Sequence, residues 1–321
     1  MSKAFNETRV KYRNLREKMS RKACVVTGAS RGIGRGIALV LAKEAGCRVY
    51  ATARDKEALN TLAEEVSQSD SDGQIVPCEL DQNDDQAVRN FVQSFQTKEN
   101  RIDLLVNSAY AGLVAIAPHC GKPFWERPIS VFDASLMIGL RSSYVMSSLF
   151  APMMVKQKSG LMIQVSSFGG VQYLFDVGYG VGKAGLDRLS ADMAAELKPH
   201  GVYAITLHPG AAVTEVTAFP DGETPIFSGR AVTALLNKAN KDHLEKLNGK
   251  VVQAAELAVD YDFVDIDGKM PTGVEITKTW RDAMSSPLIQ YSFEADLPDP
   301  SKSLNHPDVS AFFPGAKNYK V

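Results

Sequence analysis

The chain has 321 residues, 45% hydrophobic and 23% charged, with 36 Lys and Arg against 37 Asp and Glu for a formal net charge of −1. It is long enough for one large or two modest domains, and its near-zero charge excludes nucleic acid as the main partner, because gripping phosphates needs a basic surface. No run of 18 or more apolar residues offers a transmembrane span.

Four cysteines, Cys24, Cys47, Cys78 and Cys120, are scattered with no C-x-x-C pair. They read as small hydrophobes in a reducing compartment, not as bridges or metal ligands. Residues 1–22 form a basic arm in which Lys3, Arg9, Lys11, Arg13, Arg16, Lys18, Arg21 and Lys22 face only Glu7 and Glu17. The arm lacks the apolar stretch of a secretory signal. A cytoplasmic location is expected, and this arm is the segment that would carry an organelle address.

From Ala23 the pattern changes. Ala23-Cys24-Val25-Val26 is an apolar run of the kind found in strands buried on both faces. It leads into Thr27-Gly28-Ala29-Ser30-Arg31-Gly32-Ile33-Gly34, after which Ile37, Ala38, Leu41, Ala42 and Ala45 recur at helical spacing. A glycine-rich turn between strand and helix lets backbone N–H groups at a helix N-terminus approach a pyrophosphate. Arg48 to Thr52 reads as the second strand, ending at Ala53-Arg54. Folds that prefer NAD place an acidic residue there for the ribose 2′-hydroxyl. Here Arg54 follows instead, and Arg31 adds a second guanidinium. Such a pair suits a 2′-phosphate and points to NADP(H), the alternative being two solvated arginines.

Asp55 to Val66 reads as a helix with Asp55 as its N-cap. Gln74 to Pro77 is the third strand, with Asp81 beyond its C-terminal end, where ligands gather in open α/β sheets. Ala87, Val88, Phe91, Val92 and Phe95 make a helical stripe assigned to the core. Ile102 to Val106 is the fourth strand and ends in Asn107-Ser108-Ala109-Tyr110. Residues 113–128 are irregular, with His119 as a loop residue, and 130–157 can hold one long helix. Leu161 to Val165 is the fifth strand and delivers Ser166 and Ser167. Val177 to Leu197 fits a helix, and Gly201 to Leu207 is the sixth strand, before His208-Pro209-Gly210. Residues 215–227 read as a lid over substrate. Ser228 to Ala239 reads as a helix capped by Ser228, and Lys250 to Val252 as a seventh strand. Asp260 to Gly268 reads as a solvated turn, since a calcium loop needs helical flanks and a terminal Glu.

The alternation of strand and helix implies a Rossmann-type doubly wound parallel sheet, a three-layer α/β/α single domain over 23–285. The arm precedes it and an extended, proline-rich tail covers 286–321. Gly28, Asp81, Asn107, Ser167 and Pro209 all fall at strand C-termini or just after them.

On a helix, Tyr179 and Lys183 stack on one face. A phenol with a pKa near ~10 is a poor acid and base at neutral pH. A lysine one turn away would favour phenolate and lower that pKa, giving a proton-transfer device for a carbonyl or alcohol. Gly180 and Gly182 would leave the face bare for a flat group. Taken alone, the pair also fits a solvated surface.

In order and spacing, Thr27-Gly28-x-x-x-Gly32-x-Gly34, Asp81, Asn107-x-Ala109, Ser167, Tyr179-x-x-x-Lys183 and Pro209-Gly210-x-x-x-Thr214 resemble the classical short-chain dehydrogenase/reductase family over residues 20–255. The resemblance implies that Tyr179 exchanges a proton with the substrate oxygen and that Ser167, with Ser166 as the alternative, hydrogen-bonds that oxygen. Lys183 would tune the phenol and hold the nicotinamide ribose. Gly28, Ser30, Arg31, Gly32, Ile33 and Gly34 would hold the pyrophosphate end, with Arg54 and Asp81 at the adenosine. Pro209, Gly210 and Thr214 would hold the nicotinamide amide, and Asn107 would bridge the central strands or touch the cofactor.

Two positions depart from the family pattern. Tyr110 stands where the family has a glycine, and Gly139 where it has a relay asparagine. Tyr110, Phe168, Tyr173, Phe175 and Phe219 are expected to border an apolar, steroid-like or aromatic ketone pocket. The activity implied is an NADP(H)-dependent carbonyl reductase or alcohol dehydrogenase that needs no metal and forms a homo-oligomer through 130–157 and 177–198. The alternative is a non-catalytic dinucleotide-binding regulatory or scaffold protein. A dehydratase or epimerase on the same scaffold is a third reading.

Overall fold

The structure is a computed structural model that describes residues 21–219 and 222–271. Nearly all of the basic arm, the tail at 286–321 and the stretch leading to 285 lie outside the described residues.

Seven strands form one all-parallel sheet: β1 (Ala23–Thr27), β2 (Arg48–Ala53), β3 (Gln74–Glu79), β4 (Leu104–Asn107), β5 (Gly160–Val165), β6 (Val202–His208) and β7 (Val251–Gln253). Their spatial order is β3-β2-β1-β4-β5-β6-β7, so the chain reverses direction across the sheet between β1 and β4. That reversal opens a crevice at the strand C-termini, the general ligand position of such sheets. The expected Rossmann-type doubly wound sheet is what the chain forms.

The central strands β1, β4, β5 and β6 are buried at nearly every position because both faces are covered, and alternate residues serve opposite layers. Cys24 and Val26 of β1 join the core with Leu104 and Val106, under α1 (Gly32–Lys43), α2 (Lys56–Ser67) and α8 (Pro225–Asn237). Ala23 and Val25 join the opposite core with Leu105 and Met162, under α3 (Asp85–Lys98) and α6 (Ser142–Gln157). Also on that face are the last turns of α7 (Val177–Leu197), through Ala194 and Leu197. Asp55 caps α2 as expected, accepting from the Ala58 N–H at 2.9 Å. No helix among the described residues is long and apolar enough to cross a membrane.

Four local expectations are corrected. Residues 130–157 do not form one helix. α5 (Ile129–Ser135) stops, the chain leaves helical geometry at Ile138 and Gly139, and α6 restarts at Ser142. The gap is filled by the loop after β4: the Ala111 N–H donates to the Ile138 carbonyl at 3.1 Å. Residues 113–128 are partly ordered, beginning with the short α4 (Gly112–Ile116).

Ser228 is not a cap. α8 begins earlier, with Thr224 accepting from the Ile226 N–H and Pro225 in the first turn, where a missing N–H does no harm. Ser228 is buried inside the helix and donates to Glu223. Asp265 is not solvated either. It is buried and accepts from the Thr224 N–H at 2.7 Å and from the Thr224 hydroxyl at 2.5 Å.

α1 and α8 cross closely at Gly36, where an added Cβ would lie 2.4 Å from the Pro225 carbonyl oxygen. Backbone cannot yield as a flexible side chain can, so Gly36→Ala is expected to destabilise the domain by about 1–3 kcal/mol. Urea unfolding checks this as a lower midpoint at unchanged slope.

Candidate active site

A cleft of about 670 Å³ runs along the C-terminal ends of β1, β2, β4, β5 and β6. At one end lies the glycine turn. Gly28 has φ +66°, and a Cβ there would sit 2.6 Å from the Ala109 Cα, so only glycine lets the turn nest against the loop after β4. Thr27 fastens that loop, its hydroxyl accepting from the Ser108 and Ala109 N–H groups at 3.0 and 3.1 Å. Ser30, Arg31, Gly32, Ile33 and Gly34 line the same end. The Gly32 N–H donates to a Glu215 carboxylate oxygen at 2.8 Å. An acidic oxygen thus already sits at the positive N-terminus of α1, so the turn fits a phosphate group.

Arg54, beyond the end of β2, and Asp81, beyond β3, also line this end. One Asp81 oxygen accepts from the Asn83 N–H at 2.9 Å. Asn107 is placed differently. It is absent from the cleft wall and buried behind it, where its amide donates to the Ser147 hydroxyl at 3.0 Å and to the Ser143 carbonyl at 3.5 Å. It ties β4 to α6.

The other end of the cleft is built around α7. Asp176 caps the helix, accepting from the Gly178 N–H at 2.6 Å. The same carboxylate pairs with Arg127 at 2.5 Å, with the two side chains 5% and 3% exposed. Tyr179 and Lys183 follow in the first turns, and both line the cleft. Ser167 and Ser166 arrive from the end of β5. Ser167 shares the cleft wall with Tyr179, and its hydroxyl accepts from the Gly169 N–H at 3.2 Å. Ser166 turns the other way, donating to the Lys183 carbonyl at 3.1 Å. A Cβ on Gly169 would lie 2.3 Å from the Tyr179 ring, which accounts for the small residues after Ser167. Gly180 and Gly182 do not open a face for a ligand, because their Cβ positions look onto the Gly169 and Ser135 carbonyls at 3.3 and 3.2 Å.

The electrostatics differ from the sequence expectation. Burial pushes the Tyr179 phenol up to about 12, against the pull of the Ser167 side chain, and Asp187 adds to the rise. Lys183 is brought down to about 8 by burial, with Asp187 opposing. Its ammonium donates to the Val165 carbonyl at 3.1 Å and lies 5.8 Å from the Tyr179 ring centre. Desolvation outweighs the expected Lys–Tyr attraction here. Beneath them Asp187 meets His208 at 3.1 Å, both fully enclosed.

Pro209, Gly210 and Thr214 line the cleft after β6, and Tyr110, Phe168, Phe175 and Phe219 supply aromatic wall. Tyr173 is not on that wall. The segment after Thr214 folds back on the loop, with the Val213 and Glu223 N–H groups donating to Glu223 and Ala211 carbonyls. Sequence reasoning missed Glu223. Its buried carboxylate accepts from the Ser228 hydroxyl at 3.2 Å and lies against Gly210 behind the loop. No local pattern marks it, because its burial comes from the Gly210 loop, which lies apart from it in the chain. Among the described residues no three His, Cys, Asp or Glu side chains converge as a metal site.

A family model described as short chain dehydrogenase matches residues 22–221. Dehydrogenase/reductase SDR family member 1 of Homo sapiens is 41% identical over 272 residues, covering 78% of this chain and 85% of that protein. Its Mus musculus counterpart is 42% identical with the same coverage. A solved metagenomic short-chain oxidoreductase in complex with NADP superposes with a TM-score of 0.59 at 28% identity, covering 74% of this chain and 98% of that one. A 7 alpha-hydroxysteroid dehydrogenase complexed with NADH and 7-oxo glycochenodeoxycholic acid shares the fold, with a TM-score of 0.63 at 23% identity, over 79% and 97% of the chains.

Glu223 carries a pH dependence. Burial raises its carboxyl from 4.5 to about 7, so the fold favours the neutral acid. Its contribution is complete below the unfolded value near 4.5 and is lost as pH rises through about 7. Glu223→Gln keeps a neutral side chain at every pH. Relative to the parent it is expected to gain stability with rising pH, by up to about 3 kcal/mol once the parent carboxyl is ionised. Urea midpoints across that range check the divergence.

Proposed function

The chain belongs to the short-chain dehydrogenase family of oxidoreductases, and we propose that it is an NADP(H)-dependent carbonyl reductase or alcohol dehydrogenase. The observation that carries this reading is that Ser167, Tyr179 and Lys183 stand together on the wall of a cleft whose far end is the glycine turn. A nicotinamide dinucleotide, when bound, supplies the hydride donor or acceptor. The rest is the work of the chain's own side chains.

In the direction of reduction Tyr179 is the proton donor. Its burial keeps the phenol protonated at neutral pH, and a substrate oxygen seated beside Ser167 takes that proton as negative charge develops. Ser167 hydrogen-bonds the same oxygen and stabilises that charge. Lys183, with a pKa of about 8, is mainly an ammonium at neutral pH and holds ribose hydroxyls at the cleft floor. Oxidation runs the proton the other way, into an ionised phenol, and is favoured as pH rises.

The glycine turn and the N-terminus of α1 hold the pyrophosphate. Arg31 and Arg54 line the adenosine end and suit a 2′-phosphate, which supports NADP(H) over NAD(H). Asp81, on the same wall, would hold the adenine edge. Pro209, Gly210 and Thr214 fix the nicotinamide amide. The aromatic wall favours an apolar ketone over a sugar or a charged acid. A cytoplasmic site of action and self-association through α6 and α7 complete the reading. Exposed Tyr144, Val177 and Val181 are the apolar groups on those helices that an assembly would cover.

Tyr179→Phe is expected to lower NADPH-dependent reduction of aromatic and alicyclic ketones by ~10²–10⁴-fold, while NADPH still binds in a fluorescence titration. Undiminished turnover overturns the assignment. Arg54→Asp is expected to reduce the preference for NADPH over NADH by ~10–100-fold in kcat/KM, the worth of one charge-assisted hydrogen bond.

A further inference from the structure

Tyr110 has no part in the chemistry described so far, yet three independent contacts converge on it. The Lys183 ammonium stands over its ring, 4.4 Å from the centroid, nearer than to the Tyr179 ring at 5.8 Å. The Tyr110 ring also meets the Tyr179 ring edge to face at 5.6 Å. Its hydroxyl donates to the Ser135 hydroxyl at 3.2 Å, which donates on to the Val131 carbonyl. Beside these contacts stands a clearance. A Cβ on Gly139 would lie 2.8 Å from the Tyr110 ring, and one on Gly112 would lie 2.2 Å from its hydroxyl. The break between α5 and α6 and the ring that fills it are two halves of one arrangement.

We propose that Tyr110 is a positioning residue for Lys183, its ring face holding the ammonium at the cleft floor and favouring its charged form in space that a side chain at position 139 would otherwise occupy. The ring does this, not the hydroxyl. An aromatic face is electrostatically negative, and its attraction for a cation grows when water is excluded.

The groups facing Lys183 come from every element around it. α7 supplies Tyr179 and Asp187, the latter paired with His208 from β6. The end of β5 supplies the Val165 carbonyl, and the loop after β4 supplies Tyr110. Of these, Asp187 is the acidic group that favours the ammonium, and it pairs with His208 at 3.1 Å. Burial pushes the Tyr110 phenol well above its usual range, so its ring remains a neutral aromatic. The catalytic consequence, an ammonium kept ready for ribose hydroxyls, rests on the proposed function above. The positioning does not.

The test titrates Lys183 directly in the full chain. Competitive acylation with acetic anhydride, read by mass spectrometry at Lys183 between roughly pH 6 and pH 10, gives its midpoint without any turnover. Tyr110→Leu is expected to lower that midpoint by about one pH unit, and Tyr110→Phe to leave it at the parental value. A midpoint unmoved in Tyr110→Leu overturns the proposal, as does an equal shift in Tyr110→Phe. Thermal melting identifies variants that fold. Where Tyr110→Leu does not, Gly139→Ala displaces the ring by its added Cβ and is expected to lower the midpoint in the same direction. A folded Gly139→Ala with the parental midpoint overturns the proposal equally. Loss of carbonyl reduction in Tyr179→Phe bears on the reaction and leaves this titration untouched, so the two readings fail separately.

Discussion

Exclusion of water from Tyr179 and Lys183 is the constraint on which the rest of this molecule turns. Burial is the main force that separates the two groups, driving the phenol up to about 12 and the amine down to about 8. Two units on the phenol correspond to about 3 kcal/mol of resistance to ionisation, which a site performing proton transfer must counter at the moment of reaction. The surroundings supply the counterweights: the Ser167 side chain, which pulls the phenol down, and the Val165 carbonyl, Asp187 and the Tyr110 face around the amine. A dry pocket also makes each of these interactions stronger than it would be in water.

Rigid parts hold that pocket shut. The buried Arg127–Asp176 pair fixes the first turn of α7, and breaking such a pair from one side typically costs about 3–5 kcal/mol. Gly169 lets the strand-end turn lie directly on the Tyr179 ring, and Phe175 packs edge-on against it at 5.0 Å. The sheet then sets the long dimension. Because order reverses between β1 and β4, the glycine turn and the α7 dyad open into one crevice although they are some 150 residues apart in the chain. The turn fits phosphate and the dyad fits a carbonyl oxygen, and the distance between them is spanned by the strand ends.

Much of this is legible in the sequence where structure is decided locally. The buried-strand runs, the glycine turn, the Asp55 cap and the full extent of α7 follow from patterns within a few residues. What escapes is decided by remote contacts. The break at Ile138 and Gly139 exists because the loop carrying Tyr110 docks there, nearly thirty residues away in the chain. Asp265 looks like a surface acid until Thr224 is placed beside it. The α8 boundary is written in Thr224-Pro225, a cap followed by a first-turn proline, although Ser228 offers the same residue type a turn later. The direction of the Tyr179 shift could not be read at all, because one neighbour's charge is visible in a sequence and depth of burial is not. The two positions that depart from the family pattern, Tyr110 and Gly139, turn out to touch. In the structure one makes room for the other.

The most direct test of the central claim follows the hydrogen itself. With a ketone the protein accepts, NADPH carrying deuterium at C4 of the nicotinamide is supplied in ordinary water, and the alcohol is analysed by mass spectrometry and NMR. The account predicts deuterium on the carbinol carbon, from whichever C4 face the site presents, and a hydroxyl proton drawn from solvent by way of the phenol. If both C4 deuterium isomers leave the carbinol carbon unlabelled, or the carbon-bound hydrogen comes from water, direct transfer in this cleft is contradicted.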